Sequence, residues 1–115
     1  MQDLNHLQVY LRQFAKDREW DQFHSPKNLS MALSVEVSEL VEKFQWLTEE
    51  QSYNLDQRQY ATVADEIADI QMYLARLADK LNIDIGEAID QKIVKNEAKY
   101  PAEKVKGSAK KYTDY

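Results

Sequence analysis

Apolar residues recur every three to four positions over most of this chain, the spacing of amphipathic helices. Leu4, Leu7, Leu11 and Phe14 form one stripe, which predicts a helix from about Asp3 to Glu19. Leu29, Leu33, Leu40, Phe44 and Leu47 fall within roughly 60° of one another at 100° per residue. They predict a second helix ending near Leu47, with Ser25 as N-cap and Pro26 at its first position. Val63, Ile67, Ile70, Leu74, Leu77 and Leu81 mark a third, over about residues 57–81. Ile85, Ile89, Ile93 and Tyr100 mark a fourth, opened by Asp84 and Glu87 as a capping box and stopped by Pro101. The segment Trp20–Asn28 is a connection rich in aromatics, and "TEEQSYNLDQ" breaks the pattern around one short helical turn. The expected fold is all-α, an antiparallel four-helix bundle with short connections. Residues 1–101 form its helical domain, and 102–115 form an irregular C-terminal tail in which Lys110 and Lys111 read as a solvated end. Wide apolar faces also predict self-association.

Composition sharpens this picture. With only two glycines and two prolines in 115 residues, long helices are favoured over a turn-rich β architecture. The absence of cysteine excludes disulfides and thiolate metal sites. A formal charge of −5 argues against non-specific nucleic-acid binding, which needs a basic face. The longest charge-free runs, Leu4–Leu11 and Asn28–Val35, fall far short of the roughly 20 residues of a membrane span. No basic segment followed by an apolar one opens the chain, so a cytoplasmic location is expected.

Two helices carry carboxylates where water should be scarce. Glu36 falls inside or at the edge of the second helix's apolar stripe, and Glu39 lies one turn on, at its flank. The third helix repeats the oddity with Glu66 and Asp69, again three apart, with Tyr73 between them around the helix. Residues at i and i+3 share a side. Two such helices packed antiparallel can therefore aim four carboxylates at one point. Like charges so placed drive protons onto one another unless a cation intervenes. Oxygen ligands of this kind suit Mg²⁺, with Mn²⁺ as a substitute. The competing reading is an ordinary solvated face in an acid-rich chain, to which Glu42, well outside the stripe, belongs.

The fourth helix projects Lys92 and Asn96 from its apolar side. Lys92 either snorkels outward or pairs with an anion such as a phosphate, with Asn96 beside it as a polar ligand. Trp20 and Trp46 stand near helix ends, where aromatics serve a core, an interface or the stacking of a base. His24 is a weaker candidate of the same connection. With His6 and His24 the only histidines, the Glu-x-x-His pairs of di-iron bundles cannot be assembled.

Taken together, "FHSPKNLSMALSVEVSELVEKFQW", the ExxE and ExxD pairs, "KIVKNEAKYP" and "GSAKKYTD" resemble the MazG-like nucleotide pyrophosphohydrolases, and among them the small dCTP pyrophosphatase branch. The likeness runs from about Trp20 to Asp114. It implies an all-α MazG-like fold assembled as a homodimer or dimer of dimers. It also implies Mg²⁺-dependent cleavage of a nucleoside triphosphate, dCTP or a related dNTP, to the monophosphate and pyrophosphate. By position, Glu36, Glu39, Glu66 and Asp69 would hold the metal, Glu36 and Glu39 being the catalytic pair. Trp20 and Trp46 would flank the base pocket, with His24 nearby. Tyr73, Lys92 and Asn96 would line the sugar–phosphate part, and pocket residues can come from more than one subunit. Animal members of that branch carry a histidine where this chain has Leu11, which weakens the expectation of strict cytosine selectivity. The expected partners are the nucleotide and further copies of the chain, with no nucleic acid and no membrane. Two alternatives differ in class: a non-catalytic helical interaction module, and a metal-dependent phosphohydrolase that releases inorganic phosphate.

Overall fold

The computed structural model describes residues 3–109. Their regular structure is helical: α1 (Leu4–Asp17), α2 (Pro26–Glu42), α3 (Glu49–Ser52), α4 (Gln57–Lys80), α5 (Ile85–Lys99) and α6 (Ala102–Val105), with a 3₁₀ turn over Asp21–Phe23. The all-α expectation holds, with the four long helices within a few residues of where the apolar spacing sets them. The chain divides into two compact units, Met1–Ile83 and Asp84–Tyr115. The tail starts with the short α6, while Lys110 and Lys111 lie outside the described residues.

Local chemistry sets the helix ends. Asp3 accepts from His6 N at 2.8 Å, and Ser25 from Asn28 N at 3.1 Å ahead of Pro26. Thr48 with Gln51 and Asp56 with Gln59 form reciprocal capping boxes at α3 and α4. At α5 only half of the expected box forms. Asp84 accepts from Glu87 N at 3.0 Å, but the Glu87 carboxylate turns along the helix to accept from Gln91 Nε2. The α-helical part of α2 stops at Glu42 rather than near Leu47, and the chain winds on in tighter turns, with Phe44 N bonded to Val41 O and Leu47 N to Phe44 O.

In the first unit α4 packs against both α1 and α2. On α1, Gln8 donates to Ile83 O and Arg12 pairs with Asp79, so the two helices run antiparallel. Ala15 and Ala75 are almost completely buried, small side chains that let α1 and α4 approach closely. Leu29 of α2, 2% exposed, is the largest fully buried side chain among the described residues. Met31, Val35, Val37 and Val41 of α2 and Tyr60 and Ile67 of α4 are exposed.

Among the described residues, two other than glycine adopt the left-handed conformation, Glu19 and Asn82, both at φ 56°. Each closes a helix in a Schellman arrangement. Trp20 N reaches Ala15 O at 2.9 Å and Glu19 N reaches Lys16 O; likewise Ile83 N reaches Ala78 O at 2.8 Å and Asn82 N reaches Asp79 O. The first of these turns sets Trp20 edge-on against Phe14, with ring centroids 5.7 Å apart. Asparagine tolerates this backbone and glutamate does not. Glu19→Gly is therefore expected to stabilise the protein by roughly 0.5–1 kcal/mol, read as a shift in the midpoint of urea unfolding with Trp20 fluorescence in place.

Candidate active site

α2 and α4 bring three of the four expected acids together. Carboxylate oxygens of Glu36, Glu39 and Glu66 lie within 4.8 Å of one another, and all three side chains are half-buried. Glu36 Oε2 and Glu66 Oε2 are buried with no hydrogen-bond partner. Orphaned buried oxygens are costly, and a cluster of them with like charge is more so. The consequence falls on Glu36. Burial first, then the charge of Glu39, and after these Asp69 and Glu66, push its pKa up from 4.5 to about 7. An oxygen-only donor set, too crowded with negative charge and short of donors, fits a hard divalent cation.

Asp69, the fourth acid, stands outside that close group and reaches it through its field on Glu36. Its side chain lines a cavity of about 190 Å³ instead. The other walls are Leu11, Phe14, Ala15, Trp20, His24, Leu29, Met72, Tyr73 and Arg76. The cavity is thus mainly apolar and aromatic, with one corner formed by the same helix turn that supplies the acids. Tyr73 belongs to both regions. Burial raises its pKa, followed by the charges of Glu36, Asp69 and Glu39, which keeps its hydroxyl a donor at neutral pH.

Of the expected base-site residues, Trp20 and His24 line the cavity, whereas Trp46 takes no part in its wall and is 87% exposed. Lys92 and Asn96 are one turn apart on α5, in the second unit, and both are exposed.

A set of charges in the cavity's wall had no counterpart in the sequence reading. Arg76, 5% exposed, donates through Nη1 to Asp79 at 3.0 Å, through Nη2 to Asp21, and through Nε to His24 Nδ1 at 3.1 Å. Asp79 also takes both Arg12 bonds, and this holds its carboxyl below the usual range, Arg12 contributing most. Asp21 also pairs with Lys80 at 3.1 Å. The network ties the connection after α1 to the last turns of α4. Its one local signal was Arg76 beside Ala75 and Ala78. Two small residues mark a close-packed side, but only their burial, together with that of Ala15 on α1, identifies it.

Residues 31–115 match the MazG-like family. The chain belongs to the MazG-like family. Relatives include proteins named dCTP pyrophosphatase 1 from Bos taurus, 39% identical over 99% of this chain, and from Homo sapiens, 36% identical over 99%. The chain spans 67% and 66% of their lengths. Among solved structures, a pyrophosphatase from Archaeoglobus fulgidus superposes with a TM-score of 0.78 at 41% identity, covering 84% of this chain and 91% of that one. The MazG-like match contains all four acids, while Trp20 and His24 precede its first residue.

Proposed function

We propose that this chain is a divalent-metal-dependent nucleoside triphosphate pyrophosphohydrolase, acting on dCTP or a related deoxynucleoside triphosphate and releasing the monophosphate and pyrophosphate. The observation that carries the reading is a shared wall. Asp69 lines an apolar, aromatic cavity and acts on Glu36 of the carboxylate group, so a site for a flat ring adjoins a site for a polyphosphate and its cation. Relatives named as pyrophosphatases support the same chemistry.

Glu36, Glu39 and Glu66 would hold Mg²⁺, or Mn²⁺ in its place, with Asp69 next to them. When bound, the cation supplies positive charge for the triphosphate and makes a nearby water more acidic. Glu39, one turn from Glu36 in the same group, orients that water and takes its proton. The water oxygen bonds to the α-phosphorus, the bond from that phosphorus to the bridging oxygen breaks, and pyrophosphate departs with the electron pair. Trp20 and His24 hold the base, and Tyr73 donates to the sugar or phosphates. The sequence resemblance alone supports Lys92 and Asn96 as contacts to the sugar and phosphates, and Trp46 as a second base contact. Assembly as a homodimer or dimer of dimers is part of the proposal, supported by the exposed apolar side chains of α2 and α4.

Incubation with a panel of canonical and modified triphosphates plus Mg²⁺ tests this directly. Equimolar monophosphate and pyrophosphate are expected. Release of inorganic phosphate would indicate a different phosphohydrolase, and no product from any member of the panel would favour an interaction module.

A further inference from the structure

Arg76 is a buried cation in the cavity wall that the proposed hydrolysis does not use. A guanidinium is tolerated there because each of its nitrogens is engaged: Nη1 by Asp79, Nη2 by Asp21 and Nε by His24 Nδ1. The last of these bonds fixes a tautomer. A guanidinium has only donors and stays protonated, so His24 Nδ1 must be an unprotonated acceptor. The ring proton then sits on Nε2. Burial pushes the His24 pKa below its ordinary value, the charges of Arg76 and Lys80 push it further, and Asp21 opposes them. The ring is therefore neutral at neutral pH. Trp20 packs edge-on against it, with centroids 6.2 Å apart at 63°, and steadies a second side. Among the described residues no hydrogen bond engages Nε2.

We propose that Arg76 is a positioning residue for base recognition: it locks His24 as the Nε2–H tautomer, so the cavity presents a fixed N–H donor to a base that offers a carbonyl oxygen or an unprotonated ring nitrogen. The inference rests on the nucleotide reading above and deepens it by fixing the polarity of the contact. O2 of a pyrimidine and N3 of cytosine are acceptors of this kind. N3 of thymine or uracil carries a proton and would meet Nε2–H donor to donor. Leu11 brings no polar group to the wall, so more of the discrimination falls to His24.

The tautomer can be read without nucleotide, from the ring ¹⁵N resonances of histidine-labelled native protein. Nε2 protonated and Nδ1 bare is the expected pattern. An Nδ1–H or doubly protonated ring at neutral pH would overturn the proposal. Arg76→Met, similar in length but without donors, is expected to release the ring into a mixture of tautomers. It should raise KM for the preferred triphosphate roughly tenfold, the scale of one hydrogen bond, with kcat changed less than about twofold. A native tautomer and native KM in that variant would also sink the idea. If Arg76→Met does not fold, two histidine variants decide instead. His24→Gln carries an amide near the Nε2 position and should keep most of the affinity. His24→Asn, whose amide ends near Nδ1, should lose roughly tenfold. A chain that cleaves no triphosphate fails the proposed function; a hydrolytic chain whose KM ignores His24→Asn fails this inference and the His24 base contact, and leaves the hydrolysis standing.

Discussion

Glu36→Gln is expected to abolish most activity while making the metal-free protein more stable. The two effects have one cause. Glu36 sits at the apolar border of α2 beside Glu39, with a buried Oε2 that no protein group satisfies, and its pKa is pushed up to about 7. In the unfolded chain the same carboxyl ionises near 4.5. Its folded pKa is raised, so the folded state keeps the proton longer than the unfolded one. Nothing is lost below about pH 4.5. Stability then falls as pH rises through 7, and above 7 the full cost of an unwanted negative charge is present. Glutamine keeps the shape and removes the charge. At pH 8 without metal the variant should gain roughly 1 kcal/mol, about 4 °C in Tm, and at pH 4 it should gain nothing. With Mg²⁺ and substrate, turnover should fall roughly 10²- to 10⁴-fold, as when a site loses one of its working carboxylates. Thermal melts across pH, paired with pyrophosphate release, measure both. Exposed Glu42→Gln should change neither and serves as the control. Near-normal turnover of Glu36→Gln at saturating Mg²⁺ would refute the carboxylate scheme.

The same residue shows how much of the site was legible in the sequence. Glu36 stood out because it broke an otherwise clean stripe, and Leu29, at the centre of that stripe, is the most deeply buried large side chain of the described residues. Periodicity works here because one helix face meets one partner. The ends of the helices were legible where a side chain and a backbone N–H three residues away settle the matter, as at Ser25 and Asp84. Glu87 went differently because Gln91 competes for its carboxylate one turn away. The close packing of α1 on α4 left no pattern, since alanine is unremarkable in any helix and Ala15 and Ala75 gain meaning only through their burial. Arg76 was hidden for a related reason. An arginine reads as surface by default, and its burial depends on Asp79 one turn along α4 together with Asp21 and His24, which come from a distant part of the chain. Asp69 shows the limit of spacing arguments: i and i+3 put it on the side of Glu66, yet it lines the cavity wall and stands outside the close carboxylate group.

Below pH 7, divalent cation and proton should compete for the carboxylate group, and this second prediction separates a metal site from a merely acidic face. A cation binds the ionised form, so where Glu36 holds a proton, binding must release it. Apparent affinity for Mg²⁺ should rise about tenfold per pH unit below about pH 7 and level off above it, the signature of one released proton. The other displaced groups stay out of that window. Asp21 and Asp79 are held below the ordinary carboxylate range, first by Lys80 and Arg12 respectively, and Tyr73 is raised above the ordinary phenol range. His24, lowered by burial, is not among the groups that act on Glu36. Titration calorimetry in two buffers of different ionisation enthalpy counts the proton directly. Activity at limiting Mg²⁺ should climb with pH through 7, and excess Mg²⁺ should move the rise to lower pH, because more cation displaces the proton earlier. Chelation should abolish turnover and leave the helical content intact, since α1, α2 and α4 pack through Leu29, Ala15 and Ala75 rather than through the acids. An affinity that stays flat from pH 5.5 to 8 would mean that Glu36 does not ligate the ion, and the reading of its orphaned oxygen as a metal ligand would fall with it.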